Sequence, residues 1–289
     1  MNKILIVVAI LLLISCKPQG VKNDKSEKDQ TGNSTEITEN KSQSEQEVNV
    51  LDENQKIVDE KTLDNGIIIQ WIEHGDGEDV IDGEVYKLDY KVYLEDKQVI
   101  DGNHLLNKPY IPFLVGMNMQ TPGWDIALNE LKVGDFVEVF IPSELARGEK
   151  EVKGLFPANS NNILRVRILG KMEPTRVVDG NKVWVFEENP NNKVLFDEMK
   201  KITFHAMVST KSNPLYINTY RENKPFEMKL EDHGLVPGLK KSLINTKKSD
   251  RMLVLVKSED AYGDKGLLDL VKPNEDVFYN ILVMDVVPF

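Results

Sequence analysis

Few residues in this 289-residue chain are spaced for covalent or metal chemistry. His74, His104, His205 and His233 stand singly, without the spacing of metal ligands, and read as structural or exposed. Gly75-Asp76-Gly77 lacks the strand–turn–helix context of a phosphate loop and reads as a turn. Lys240-Lys241 and Lys247-Lys248 read as a solvated face. What recurs instead is a set of proline, glycine and aromatic residues. Asn107-Lys108-Pro109-Tyr110 returns as Asn223-Lys224-Pro225-Phe226, and Pro122-Gly123-Trp124 as Pro237-Gly238-Leu239. Ser143-Glu144-Leu145-Ala146-Arg147-Gly148 returns as Ser258-Glu259-Asp260-Ala261-Tyr262-Gly263. From Gly123 to Gly238, and from Ser143 to Ser258, the step is about 115 residues. That is far beyond a solenoid period and is the size of a domain, so the chain reads as a tandem duplication.

The elements that must position these residues begin near residue 61. Ahead of them, Lys3 precedes an unbroken apolar run from Ile4 to Ile14, closed by Ser15-Cys16. The run is too short for a membrane-spanning helix, which needs roughly 20 apolar residues, and it suits the apolar core of a secretory signal. Ser15-Cys16 resembles the lipobox of bacterial lipoproteins. The resemblance implies removal of residues 1–15 and acylation of Cys16, the only cysteine. No thiol is then left for disulfides, metal binding or nucleophilic catalysis. Several acyl chains, each buried CH₂ contributing about 0.8 kcal/mol, would hold the protein at a membrane surface. Residues 16–60 follow as a disordered tether: Lys17 to Asn49 holds only Val21, Ile37 and Val48 as aliphatics, too little to offset the entropy of ordering.

Beyond the tether, two domains are expected, at 61–171 and 172–289. Tyr86, Leu88, Tyr90, Val92 and Leu94 alternate with mostly polar residues, as a half-buried strand does. Val137, Val139 and Ile141 do the same, and so do Leu164, Val166 and Ile168, with Arg165 and Arg167 facing out. Turn signals at Asp64-Asn65-Gly66, Asp82-Gly83 and Gly134-Asp135 separate the runs. One stretch reads as helical, with Trp124, Leu128 and Leu131 on one face after Pro122-Gly123. The junction falls near Lys171 to Thr175, and a hairpin around Asp179-Gly180 opens the second half. The fold class is α+β, each half an antiparallel sheet with one short helix.

The order Lys-Pro-aromatic, Pro-Gly-Trp, Lys-x-Gly-Asp, a strand ending in Pro, then Ala-x-Gly resembles the FKBP-type peptidyl-prolyl cis-trans isomerases, in two copies covering nearly everything after Thr62. The resemblance implies a twisted sheet wrapped around a short helix, and rotation about X-Pro bonds as the chemistry. That rotation has a barrier of roughly 18–20 kcal/mol because amide resonance must be lost. It requires no cofactor and no metal. A dry apolar cavity favours the twisted imide, in which charge separation is smaller, over the planar ground state.

Residue by residue, the resemblance assigns the aromatic wall, aspartate and indole floor of the first copy to Tyr90, Asp101, Tyr110 and Trp124. Ile100 and Leu164 stand where aromatics are usual. Gln120-Thr121 replaces an apolar pair whose backbone donates to substrate, and Arg147 replaces a tyrosine whose hydroxyl bonds a substrate carbonyl. Leu155 and Phe156 are further substrate contacts, and Pro112 marks a one-residue insertion. In the second copy Phe226, Tyr262 and Tyr279 carry catalysis, with Tyr216, Leu235, Val236, Leu239 and Val271 as contacts. There the family's tyrosine is Ala206, its aspartate Ile217 and its indole Leu239. By residue type alone, Trp124, Phe226 and Tyr279 would be core and Asp101 a solvated or capping carboxylate; only the family order makes them site residues. The dry-cavity argument favours the second copy as the isomerase.

The expected function is prolyl isomerisation, with foldase activity on proline-containing segments of exported proteins, at a bacterial cell envelope through lipid on Cys16. Two alternatives stay open: a non-catalytic module that binds proline-containing or unfolded segments, and a structural surface-interaction lipoprotein. A net charge of −11 argues against nucleic acid as a partner.

Overall fold

The computed structural model describes residues 56–214 and 216–289. The expected leader, Cys16 and nearly all of the tether lie outside the described residues. The first half comprises β1 (Asp59–Thr62), β2 (Ile68–Glu73), β3 (Val85–Tyr93), β4 (Val99–Gly102), β5 (Ile111–Leu114), α1 (Pro122–Leu128), β6 (Phe136–Ile141) and β7 (Asn162–Met172). The second comprises β8 (Arg176–Val178), β9 (Asn181–Glu187), β10 (Lys200–Ser209), β11 (Ile217–Asn218), β12 (Phe226–Met228), α2 (Pro237–Leu243), β13 (Arg251–Val256) and β14 (Val277–Pro288).

The first sheet runs β1-β2-β6-β7-β3-β4, with β5 also on β3. The second, read from its far edge, runs β8-β9-β13-β14-β10-β11, with β12 also on β10. The two paths are identical step for step, so the repeated motifs reflect a repeated topology. The alternating runs form the strands for the reason the alternation suggests. Along β3, Tyr86, Leu88, Tyr90 and Val92 enter the core while Lys87, Asp89 and Lys91 point outward. The hairpin β8–β9 closes through Asp179 and Gly180, both at positive φ, the pair that a two-residue turn of this hand requires.

Both helices begin with Pro at their first turn, where no backbone N–H partner is lost. The following glycine lets each helix touch a strand end: a Cβ on Gly123 would stand 2.4 Å from Ile141 Cγ2, and one on Gly238 2.4 Å from Val256 Cγ1. Leu131 lies past the end of α1 yet stays buried. One boundary differs from the sequence reading. β1 begins at Asp59, inside the stretch expected as tether. Its four side chains are all exposed, so backbone pairing with β2 rather than apolar burial holds it, and composition does not signal it.

The halves share a third apolar cluster. Every residue of β13 is buried, because Met252, Val254 and Val256 face its own core while Leu253 and Leu255 face the first half. There they join Trp184 and Phe278 against Val85, Leu114 and Met117. Ser209 Oγ donates to the Met117 carbonyl at 2.5 Å, and Asn118 Nδ2 donates to the carbonyls of Thr210 and Lys211. Lys211–Asp82, at 2.6 Å, and Lys182–Glu84, also at 2.6 Å, pair across the same seam.

Candidate functional sites

In each half the candidate site, a cup of family-matched residues, lies between the helix and the sheet. In the first, Trp124 at the head of α1 is the floor. Tyr90 from β3 meets it edge-on at 5.1 Å, and Phe113 from β5 stacks on it at 5.4 Å. Tyr90, Ile100, Asp101, Phe156 and Leu164 are all buried beside it. Burial pushes the Asp101 carboxyl up, opposed by the Gly102 N–H that bonds it and by Tyr90 and Arg147. The Tyr90 hydroxyl is held well above its ordinary range by burial and then by the Asp101 charge. These two oxygens perturb one another, yet neither Tyr90 Oη nor Asp101 Oδ2 completes a hydrogen bond of good geometry. Two half-buried residues at the rim share that condition: Thr121 Oγ1 and Arg147 Nε have no partner. The Arg147 guanidinium lies 4.8 Å over the Phe156 ring. Gln120 and Leu155 complete a half-buried rim.

Tyr110 takes a different place. It is half-buried under the Lys87 ammonium, 5.2 Å from its ring centre, and Lys87 belongs to the outward face of β3. The residue in contact with Trp124 is Phe113, three positions on. β5 pairs with β3 so that Phe113 faces Tyr86 and Pro112 faces Lys87. The insertion at Pro112 moves the aromatic that reaches the floor, and strand pairing, rather than motif order, is the signal that finds it.

The second cup has a different lining. Its floor is Leu239 on α2 with Val236, Val271 and Tyr279, all buried. Around them stand the half-buried Tyr216, Phe226, Leu235, Tyr262 and Leu267. Phe226 contacts Phe204 at 5.5 Å. Burial raises all three tyrosines, and Tyr216 and Tyr262 raise Tyr279 further. The Tyr216 and Tyr262 phenols perturb each other as bonded hydroxyls do, but the Tyr216 hydroxyl lacks a partner of good geometry. Phe204 and Leu267 were not among the residues singled out from the sequence; the pairing of Phe204 with Phe226 across β10 and β12 identifies the first.

Arg147 and Tyr262 occupy one structural position. Each follows an alanine whose N–H is bonded to the carbonyl of the serine opening the turn, Ser143 or Ser258. Those alanines have φ/ψ of −98/−111 and −112/−106, and the glycines two residues on, Gly148 and Gly263, have φ of 56 and 57. The backbone on either side is alike, so Arg147 and Tyr262 are equivalent positions of one turn.

A cleft of about 340 Å³ lies away from both cups, at the seam between the halves. Its Lys182, Lys211 and Lys257 are already paired, with Glu84, Asp82 and Asp276, so among the described residues it offers no unpaired cation to a ligand.

Comparison with known proteins gives a consistent result. Residues 77–169 and 194–284 each match the family described as FKBP-type peptidyl-prolyl cis-trans isomerase. The chain is 33% identical over 109 residues to the FKBP-type peptidyl-prolyl cis-trans isomerase FkpA of Escherichia coli, a stretch covering 38% of this chain and 39% of that protein. Thus it spans about two fifths of that relative's length. It is 21% identical over 206 residues to human peptidyl-prolyl cis-trans isomerase FKBP10, covering 71% of this chain and 35% of that one. Among solved structures, the three FKBP domains of wheat FKBP73 align over 78% of this chain and 96% of theirs, with 21% identity and a TM-score of 0.39.

Proposed function

Since this chain belongs to the family of FKBP-type peptidyl-prolyl cis-trans isomerases, we propose that it catalyses prolyl isomerisation, chiefly in its second cup. One observation carries this reading: a half-buried ring of Tyr216, Phe226, Leu235 and Tyr262 stands over a floor made only of Leu239, Val236, Val271 and Tyr279. Such a cup takes a proline ring against aromatic faces and strips water from the imide. Because the planar imide is more charge-separated than the twisted one, desolvation raises the ground state relative to the transition state. Tyr262 offers the hydroxyl that holds a flanking carbonyl, and Val236, capping α2, offers backbone in the place of the family's donor pair. No proton moves and no bond breaks; the side chains bind, orient and exclude water.

The clients we propose are proline-containing segments of exported proteins, met at a bacterial cell envelope where acylated Cys16 holds the chain to a membrane. The support is the apolar run ending at Ser15-Cys16 and the polar stretch that follows it. A non-catalytic module that binds proline-containing segments is the second reading, favoured by Ala206, Ile217 and Leu239 at the family's polar and indole positions.

A protease-free isomerisation assay on the intact chain separates the two, because only an enzyme shortens the relaxation time of a prolyl peptide. Tyr262→Phe is expected to lower kcat/KM about tenfold, the loss of a net hydrogen bond of about 1–1.5 kcal/mol, while peptide binding weakens no more than that. Wild-type protein that binds the peptide without accelerating relaxation would establish the binding module instead.

A further inference from the structure

The first cup carries a feature that its counterpart lacks, a cation at the shared rim position. Tyr262 in the second cup is neutral, whereas Arg147 leaves the same backbone turn as a guanidinium. It is half-buried and makes no ion pair among the described residues, and its Nε has no acceptor. The guanidinium carbon lies 4.8 Å over the Phe156 ring, a contact that occupies a face of the cation without supplying a hydrogen-bond acceptor. Asp101 lies near enough to act on Arg147 electrostatically without pairing with it. A partly desolvated cation with a buried, unfilled donor carries a cost that an anionic partner would lower. Thr121 Oγ1, also buried without a partner, adds a second polar atom at the rim.

We infer that the first cup selects prolyl segments carrying a carboxylate side chain, Asp or Glu, next to the proline, with Arg147 as the selecting group. This rests on the reading of the cups as prolyl-segment sites. The carboxylate fits better than a backbone carbonyl because a charge-assisted, two-pronged bond to guanidinium is roughly twice as strong as a neutral one. The two halves would then divide their clients, acidic prolyl segments to the first cup and neutral ones to the second.

The test follows the indole N–H resonance of Trp124 in the intact chain, identified by its loss in Trp124→Phe. Two pairs of acetyl- and amide-capped peptides are titrated: Ala-Glu-Pro-Phe against Ala-Gln-Pro-Phe, and Ala-Ala-Pro-Glu against Ala-Ala-Pro-Gln. In at least one pair the Glu peptide is expected to bind about tenfold more tightly, the worth of one charged hydrogen bond. Arg147→Gln should reduce the preference below twofold, and Arg147→Lys should retain part of it, with the remaining resonances unmoved. Equal affinities within both pairs would overturn the inference and leave the prolyl-site reading standing. If no peptide shifts Trp124, both fall for this cup.

Discussion

The two cups are built on one backbone path and lined by opposite choices. In the first, the largest side chains have gone to structure. Trp124 is held between Tyr90, edge-on, and Phe113, stacked on it, and is only 3% exposed, and the rim is polar through Gln120, Thr121 and Arg147. In the second, the floor is the smaller Leu239, and the aromatic residues stand at the rim, half-buried, where a ligand can reach them. Duplication leaves two copies free to diverge, and here they have divided the two things a binding cavity provides. One cup offers charged and polar rim atoms that lack partners, and the other an aromatic rim over an apolar floor, with the Tyr216 hydroxyl its one unpartnered polar atom among the described residues. The seam between the halves makes the division possible within one body, since Leu253 and Leu255 from the second sheet pack against Val85 and Leu114 from the first.

The comparison is sharpest where a truncation separates structure from binding. Trp124→Ala is expected to cost about 3–5 kcal/mol of stability, as deletion of a buried aromatic does. Phe226→Ala, at a half-buried position, should cost less than half of that while acting on the rate. Urea unfolding of the two variants against wild type checks the difference. Equal losses would mean that Phe226 is core and that the second cup is not open in the way described.

A smaller effect tests the seam. Asp125, one residue after Trp124, accepts the N–H groups of Gly116 and Asn118 at 2.9 and 2.7 Å, and so holds the loop that bonds to Thr210 and Lys211. Burial raises its carboxyl to about 6, opposed by those two bonds, with Asp82 raising it further and Lys211 opposing. The sign follows from where protons sit. Between about 4 and 6 the folded chain holds a proton at Asp125 that the unfolded chain releases, so this group's contribution is fully present at low pH and is lost as pH rises through 6. Asp125→Asn cannot ionise. It should therefore gain on wild type by about 1–3 kcal/mol as pH goes from 4 to 7, measured by denaturation at each pH. A gap that moved the other way would mean that the two backbone donors outweigh burial.

Much of this was legible in the residues. The alternation through β3, β6 and β7 and the Pro-Gly before each helix specify sheet and helix, because a two-residue period and a helix start are local properties. What was not legible depended on pairing across space. Tyr110 and Phe113 cannot be told apart as partners of Trp124 until β5 is laid in register on β3. The seam was hidden in the same way: only burial of β13 on both faces, with Leu253 and Leu255 on the side away from its own core, shows that a second body covers it. At Arg147 the substitution itself was plain. That its Nε stays without a partner required the positions of Asp101 and Phe156.

The most direct test of the account is kcat/KM for prolyl isomerisation in the intact chain with one cup altered at a time. Phe226→Ala should lower it at least tenfold on a neutral prolyl peptide, with near-ultraviolet circular dichroism unchanged, while Arg147→Gln changes it less than twofold. A rate that survives Phe226→Ala and disappears with Arg147→Gln would contradict the account and place the isomerase in the first cup.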